Sequence, residues 1–240
     1  MTRVLLINHE PEAAAALIGE ILTERGIEVD VHVVLADPAT PNTAYPDPAG
    51  YDAVIAFGSF ANAYDDRARA WVEPETALIR DLVERDQPYL GVCFGGQLLA
   101  QSLGGSVERA EDVDQEIGLV SFEPQAGSSL PIPAGPWFTW HEDRIVLPEG
   151  VQILIDNGKA VQLFRKGRAV GTQFHPEADA ELVAGWVRIG PDHIPPTTSG
   201  PQLLQELVEH QEQLRANCER LVDWFLVEVA GLDAPAVAPR

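Results

Sequence analysis

Short apolar segments alternate with amphipathic segments of helical length along the first hundred residues, and this alternation limits the fold more than any other feature. Apolar runs of strand length lie at residues 3–8, 27–35, 53–57 and 88–93. Residues 11–25 and 71–84 place apolar side chains at helical spacing between them, and residues 98–103 continue as a helix after the fourth run. Strands and helices in this order form a parallel sheet that is covered on both faces.

The middle of the chain is rich in strands. Apolar runs at residues 117–122, 151–155, 160–164 and 169–174 are separated by short breaks, which is typical of hairpins or of an antiparallel extension of the sheet. A helix is expected at residues 177–187. We therefore predict a single three-layer α/β domain with a mixed, mostly parallel central sheet.

The C-terminal part has a different character. We assign residues 1–190 to the domain, 191–200 (PDHIPPTTSG) to a linker and 201–240 to a C-terminal helical extension. Residues 201–229 carry a leucine-rich apolar stripe, which predicts one long amphipathic helix. This stripe should pack on the domain or on a second copy of the chain, so a homodimer is left open.

The charge balance argues against several classes of partner. The chain has 16 Lys and Arg against 37 Asp and Glu, a net charge of −21. Such a surface repels phosphate backbones and anionic lipids, so we expect neither a nucleic acid nor a membrane as partner. No apolar run reaches the ~18 residues of a membrane span, and no signal peptide is recognised at the N-terminus. With two cysteines there is no disulfide scaffold, and a cytoplasmic location is expected.

One cysteine lies where an apolar strand gives way to a helix, in the segment GVCFGGQ (91–97). Glycines flank Cys93 at positions −2 and +2, as in the sharp turn of a nucleophile elbow. The sulfur would then lie at the N-terminus of a helix, whose dipole favours the thiolate. The backbone N–H of Phe94 would point to where an oxyanion forms. Taken alone, a buried structural cysteine beside a glycine turn explains the pattern equally well.

A histidine and a glutamate end another predicted strand, in the segment GTQFHPE (171–177). A thiol nucleophile needs a base, and the base needs a group that orients it. His175 can supply the base. Glu177 can accept a hydrogen bond from its imidazole and fix the tautomer. Taken alone, the pair is better explained as the start of a helix with a first-turn charge.

Together the two segments resemble the class I (triad-type) glutamine amidotransferases, over roughly residues 1–190. The stretch GVCFGGQLLAQSLGG is similar to the nucleophile motif of that family, and GTQFHPE is similar to its His-x-Glu motif. Residues 51–66 lie where the family has a Gly-rich oxyanion loop, and residues 140–143 (WHED) resemble its His-x-Asp segment. Within the family, the sequence most resembles stand-alone relatives of the GMP synthase amidotransferase domain.

The resemblance implies a flavodoxin-like fold and a Cys-His-Glu triad with glutaminase chemistry. Cys93 would attack the side-chain amide of glutamine and form a γ-glutamyl thioester. His175 would protonate the departing ammonia and then activate water, and Glu177 would orient it.

The resemblance also implies an oxyanion hole and a substrate pocket. The oxyanion donors would be backbone N–H groups of Phe94 and of the Gly58-Ser59 turn. Where the family has Gly-Gly-Pro, this chain has Gly58-Ser59-Phe60, and Phe60 adds bulk at the pocket mouth. The candidate substrate-binding residues are Gln97, Phe60 and His141.

Three functions stay open at this stage. The chain is an ammonia-donating glutaminase that works with a separate ammonia-accepting synthetase, a self-sufficient hydrolase or transferase of γ-glutamyl amides or peptides, or a non-catalytic relative. The intact set of Cys93, His175 and Glu177 disfavours the third. No CxxC, HExxH, GxxxxGK[ST] or GxGxxG motif occurs, so neither a metal nor another cofactor is expected.

Overall fold

A seven-stranded sheet forms the centre of the computed structural model, which describes residues 1–12, 15–123 and 130–233. The described residues form eleven strands: β1 (Arg3–Asn8), β2 (Glu28–Val33), β3 (Ala53–Ala56), β4 (Tyr89–Val92), β5 (Ser106–Arg109), β6 (Glu116–Val120), β7 (Trp137–His141), β8 (Asp143–Val146), β9 (Gln152–Asp156), β10 (Val161–Lys166) and β11 (Ala169–Thr172). The helices are α1 (Ala16–Glu24), α2 (Arg69–Glu84), α3 (Phe94–Ser102), α4 (Ala180–Ile189), α5 (Gly200–Glu209) and α6 (Gln211–Trp224).

The strand order in the central sheet is β2-β1-β3-β4-β11-β10-β9. The first five of these strands are parallel, and β10 runs antiparallel to both of its neighbours. Two smaller antiparallel pairs, β5 with β8 and β6 with β7, lie outside this sheet. The mixed, mostly parallel sheet predicted from the sequence is confirmed.

Helices cover both faces of the sheet because side chains along a strand alternate between its faces. Val4 and Leu6 of β1 pack in a core cluster with apolar residues of α1 and α6. Leu5 and Ile7 pack in a second cluster with residues of α2 and α3. All four side chains are buried, and each contributes about 1.5–3 kcal/mol by leaving water. The predicted three-layer α/β domain is therefore also confirmed.

The prediction of one long helix over residues 201–229 is wrong. The backbone leaves helical geometry at His210, with φ −108° and ψ 9°, and this divides the segment into α5 and α6. Leu203 and Leu207 of α5 pack against α4, whereas Leu221 of α6 packs on the sheet face that α1 also covers. One straight helix could not bury its apolar stripe against both surfaces. A π-helical turn at Phe225–Val229 follows α6.

Several predicted boundaries also shift. The first helix begins at Ala16 rather than at residue 11, and residues 13 and 14 lie outside the described residues. The strand predicted at 117–122 is β6, which pairs with β7 outside the central sheet. The division into domain, linker and extension stays a prediction, and residues 234–240 of that extension lie outside the described ranges. None of the helices in the described ranges has the length and hydropathy needed to span a lipid bilayer.

The carboxyl ends of the parallel strands meet at one edge of the sheet, where ligands bind in open α/β sheets. His9 follows β1, Gly58 lies just beyond β3, and Cys93 follows β4. His175 lies shortly beyond β11. The topology thus brings together residues that are far apart in the sequence.

Candidate active site

The turn that carries Cys93 has an unusual backbone. Between β4 and α3, Cys93 adopts φ 50° and ψ −103°, a region that side-chain-bearing residues rarely occupy. Its backbone N–H donates to the carbonyl of Thr172 at 2.8 Å, which ties the turn to the end of β11. The strand–turn–helix geometry is that of a nucleophile elbow, with the cysteine at the N-terminus of α3.

Glycines let the helix approach the sheet at this turn. A Cβ atom on Gly91 would lie 2.3 Å from the carbonyl oxygen of Gly95, and one on Gly95 would lie 2.4 Å from that of Ala56. Both distances are too short for any side chain. The Gly95 N–H donates instead to the carbonyl of Phe57 at 3.0 Å. The GxCxG spacing therefore follows from the close packing of α3 on β3 and β4.

His175 and Glu177 form a buried hydrogen-bonded pair beside the elbow. The backbone N–H of His175 donates to the carbonyl of Phe138 at 2.8 Å and so fixes the segment that follows β11. Nδ1 of His175 donates to Oε1 of Glu177, also at 2.8 Å. Because this bond occupies Nδ1, the other ring nitrogen is left for chemistry.

The charges around His175 favour its protonated form. Burial lowers the pKa of His175, but the Glu177 carboxylate and the negative charge of Cys93 raise it more, to about 10. At neutral pH the imidazole is therefore a cation. A protonated imidazole beside a cysteine places an acid for the leaving group next to a candidate nucleophile.

This pKa predicts a pH dependence for any turnover that uses the imidazolium as an acid. Activity should persist through neutral pH and fall as pH rises through about 10, because the proton is then lost. Glu177→Gln removes a charge that raises this pKa, so the alkaline limb should move to lower pH. Profiles of kcat/KM between about pH 6 and 11 test this. Glu212→Gln, in the first turn of α6, is the control, and an unmoved limb in Glu177→Gln would contradict the assignment.

A cavity of about 130 Å³ opens above the strand ends. Its lining includes Cys93 and His175, together with further predicted site residues: Gly58, Ser59, Phe60, Phe94, Gln97 and His141. The structure thus brings all of these to one cavity, with Glu177 behind His175. The lining also includes residues without a predicted site role: Ala61, Asn62, Trp140, Glu142, Asp143, Trp186, Gly190 and His193.

The loop at Gly58-Ser59-Phe60 is held by hydrogen bonds. Ser59 Oγ donates to Oε1 of Glu10 at 2.8 Å, and the Phe60 N–H donates to the same oxygen at 3.3 Å. The N–H groups of Ser59 and Phe94 have no acceptor among the described residues. A Cβ on Gly58 would lie 3.1 Å from Cε1 of His175, so glycine allows the imidazole to approach. The loop and the N-terminus of α3 thus each present one N–H group without an acceptor among the described residues.

His141 and Phe60 both line the cavity but differ in their contacts and exposure. Nδ1 of His141 donates to the carbonyl of Asp143 at 3.0 Å, and its Nε2 lies 3.3 Å from Oε2 of Glu116. Its ring nitrogens therefore face protein partners. Phe60 is 47% exposed and extends apolar surface at the mouth, as its bulk predicts.

Sequence reasoning missed two contacts of the site. Nε2 of Gln173 donates to Sγ of Cys93 at 3.5 Å, and the side chain is fully buried. Nδ1 of His9 lies 2.9 Å from the Gly58 carbonyl oxygen. Both are polar residues directly after buried strands at the carboxyl edge of the sheet, and this position is the signal that could have pointed to them.

The two cysteines should differ sharply in reactivity. Cys218 lies in α6 within a core cluster, and burial raises the pKa of its thiol well above the usual value. Diazo-oxo-norleucine, a glutamine-like electrophile, should therefore form an adduct with Cys93 alone. Peptide mass mapping locates the adduct, with Cys93→Ala as the unlabelled control. An adduct on Cys218 would contradict this prediction.

No group of three or more His, Cys, Asp or Glu side chains within residues 1–12, 15–123 and 130–233 is placed to hold a metal ion.

Comparison with known proteins gives consistent matches. The family model described as "Glutamine amidotransferase class-I" matches residues 14–182. A "GMP synthase [glutamine-hydrolyzing]" from Staphylococcus aureus is 34% identical over 95 residues, which are 38% of this chain and only 18% of that protein's length. A glutamine amidotransferase from Thermotoga maritima, of known crystal structure, is similar with a TM-score of 0.81 and 26% identity, over 95% of this chain and 98% of that one. A glutamine amidotransferase from Methylobacillus flagellatus has a TM-score of 0.82 at 24% identity, over 100% and 99% of the two chains, which shows a shared fold.

Proposed function

The chain belongs to the class I glutamine amidotransferases, and from this premise we propose that it hydrolyses the side-chain amide of glutamine through a γ-glutamyl thioester on Cys93 and supplies the ammonia to a separate synthetase. The observation that carries the proposal is the buried hydrogen bond of 2.8 Å between His175 and Glu177. His175 lines the same cavity as Cys93, and the charge of Cys93 raises the pKa of its imidazole. A merely structural cysteine would not need this arrangement.

In the first half-reaction, the thiolate of Cys93 attacks the amide carbon and the carbonyl oxygen becomes an oxyanion. The N–H groups of Ser59 and Phe94 stabilise this oxyanion. The carbon–nitrogen bond then breaks, and the imidazolium of His175 gives its proton to the departing nitrogen. Ammonia leaves, and the γ-glutamyl group stays on sulfur as a thioester.

In the second half-reaction, neutral His175 takes a proton from water as the water oxygen attacks the thioester carbon. The same two N–H groups hold the new oxyanion. The carbon–sulfur bond breaks, glutamate leaves, and the thiolate–imidazolium pair is restored. Glu177 keeps the imidazole in one tautomer throughout and stabilises its charged form.

The proposal of a separate acceptor has its own support. The matching GMP synthase is named for glutamine hydrolysis, and the match covers 18% of its length. The present sequence has no phosphate-binding motif of the P-loop or dinucleotide type. We therefore propose that residues outside this sequence, in a separate synthetase, activate the ammonia acceptor.

A second candidate function follows from the pocket mouth. Exposed Phe60 stands where the family has proline, and Trp140, Trp186 and His193 line the same cavity. Such an apolar mouth suits a leaving group larger than ammonia. The alternative is therefore a self-sufficient hydrolase or transferase of γ-glutamyl amides or peptides that uses the same triad.

Turnover of the purified protein with glutamine alone, set against a panel of γ-glutamyl alkylamides, anilides and peptides, tests both candidates. Efficient hydrolysis of glutamine supports the amidotransferase, and a preference for the larger amides supports the alternative. Phe60→Ala should reduce such a preference without changing glutamine turnover. Cys93→Ala is the control for background hydrolysis. No turnover of any γ-glutamyl compound by the folded protein would contradict both.

A further inference from the structure

A buried charged pair lies directly behind the oxyanion loop, outside the Cys93, His175 and Glu177 set. His9 follows β1, Glu75 lies in α2, and both side chains are 0% exposed. Nδ1 of His9 lies 2.9 Å from the carbonyl oxygen of Gly58, and Nε2 lies 3.0 Å from Oε2 of Glu75. Tyr45 Oη donates to that same carboxylate oxygen at 3.1 Å. Burial of ionic groups costs desolvation free energy, so a fully hydrogen-bonded His9–Glu75 pair at this position indicates a specific role.

The hydrogen-bond partners of His9 determine which of its ring nitrogens carry a proton. The Gly58 carbonyl can only accept a hydrogen bond, so Nδ1 of His9 carries a proton and donates to it. Nε2 of His9 lies 3.1 Å and 3.0 Å from the two carboxylate oxygens of Glu75. Burial lowers the pKa of His9, but the charge and the hydrogen bond of Glu75 raise it more.

The direction of the Gly58 carbonyl determines the direction of the next N–H. In a trans peptide the C=O and N–H bonds point in opposite directions. The Gly58 carbonyl points into the core at His9, so the Ser59 N–H points away from His9. Gly58 and Ser59 line the cavity with Cys93, and the Ser59 N–H has no acceptor among the described residues.

Glycine makes this peptide easy to rotate, because it occupies other backbone conformations at little cost. The loop is also held from its other side, where Glu10 accepts hydrogen bonds from Ser59 Oγ and the Phe60 N–H. Of these contacts, only that of His9 acts on the peptide group between Gly58 and Ser59. Its loss would leave the carbonyl without a partner in the core and the N–H without a fixed direction.

We propose that His9, supported by Glu75, is a positioning residue for the reaction, which holds the Gly58–Ser59 peptide with its N–H turned toward the oxyanion that forms at Cys93. This inference rests on the proposed function. His9 touches neither substrate nor Cys93 in this role, and it acts through the Gly58 carbonyl alone.

A purely structural role is the competing explanation, since the His9 ring also packs 4.8 Å from the Phe94 ring and 5.4 Å from the Trp71 ring, centroid to centroid. Two amide substitutions separate the explanations. The amide nitrogen of His9→Asn lies as many bonds from Cα as Nδ1 and keeps the donor to Gly58. The amide nitrogen of His9→Gln corresponds to Nε2 and keeps the donor to Glu75.

The positioning role predicts that His9→Gln lowers kcat by about 10- to 100-fold, since complete loss of one oxyanion donor costs about 10²–10³-fold. KM should stay within about threefold, and His9→Asn should retain most of kcat. Alkylation of Cys93 by iodoacetamide forms no oxyanion, so its rate should be unchanged in both variants. Melting temperatures are recorded on the same samples. If either variant does not fold, the same pair is made in a Glu75→Gln background, which removes the buried charge.

Equal kcat values for the two variants would overturn the inference. A parallel fall in kcat and in the rate of Cys93 alkylation would also overturn it. A structural role predicts the opposite order, with His9→Asn the more damaged because Glu75 loses its partner. If the wild-type protein hydrolyses no γ-glutamyl compound, the proposed function fails and this inference fails with it. Wild-type turnover without a difference between the variants overturns the inference alone.

Discussion

Cys93→Ala should abolish amide hydrolysis, because no γ-glutamyl thioester can form without the sulfur. The substitution removes one atom at a turn whose backbone is set by the Gly91 and Gly95 contacts, so the fold should survive. Turnover and melting temperature are measured on the same sample. Cys218→Ala is the matched control, since it makes the same chemical change in the core of α6 and should retain activity per folded molecule.

The double variant Cys93→Ala/His175→Ala sharpens this expectation. Residues that act as one catalytic unit are not additive, so the double variant should be no less active than Cys93→Ala alone. If the residues were only structural, each substitution would instead lower the melting temperature and leave turnover per folded molecule intact. A further loss of activity in the double variant would mean that His175 acts outside the thioester pathway.

His175→Ala should lower kcat almost as severely, by at least about 10²–10⁴-fold, because both the departing ammonia and the attacking water need its proton transfers. Glu177→Ala should be less damaging by about one to two orders of magnitude, because Glu177 only orients the imidazole and stabilises its charge. Steady-state kinetics on folded proteins give this order. His210→Ala, at the break between α5 and α6, is the histidine control.

A folded His175→Ala protein with normal turnover would contradict the whole proposal. A Glu177→Ala protein more impaired than His175→Ala would reverse the assigned roles. Circular dichroism and melting temperature exclude misfolding as the cause of a loss.

The parts of the site that are local in the sequence could be predicted from it. The elbow around Cys93 needs glycine at positions 91 and 95 for steric reasons, and both glycines lie within two residues of Cys93 in the sequence. His175 and Glu177 are two residues apart, so their hydrogen bond was also within reach of sequence reasoning. The alternation of strands and helices is also local in the sequence, and it predicted the parallel part of the sheet.

The parts that join distant residues were out of reach. Nothing in the neighbourhood of His9 indicates that its partner is Glu75, because the contact depends on how α2 packs on the sheet. The contact of Gln173 with Cys93 depends on the pairing of β4 with β11. The break at His210 was missed because the apolar stripe is continuous in the sequence, while the surfaces that bury it are separate.

The residues that the fold needs extend beyond the segment that contains the sequence motifs, and β1 is the clearest example. β1 lies between β2 and β3, yet it precedes the residues that the family model matches, and α6 follows them. A protein trimmed to residues 14–182 would lose β1, leave the backbone edges of β2 and β3 unpaired and uncover the part of one apolar sheet face on which α6 packs. Unpaired edges and bare apolar faces promote aggregation. Grafting or trimming of the proposed active site therefore has to retain both flanking segments, although neither contains Cys93, His175 or Glu177.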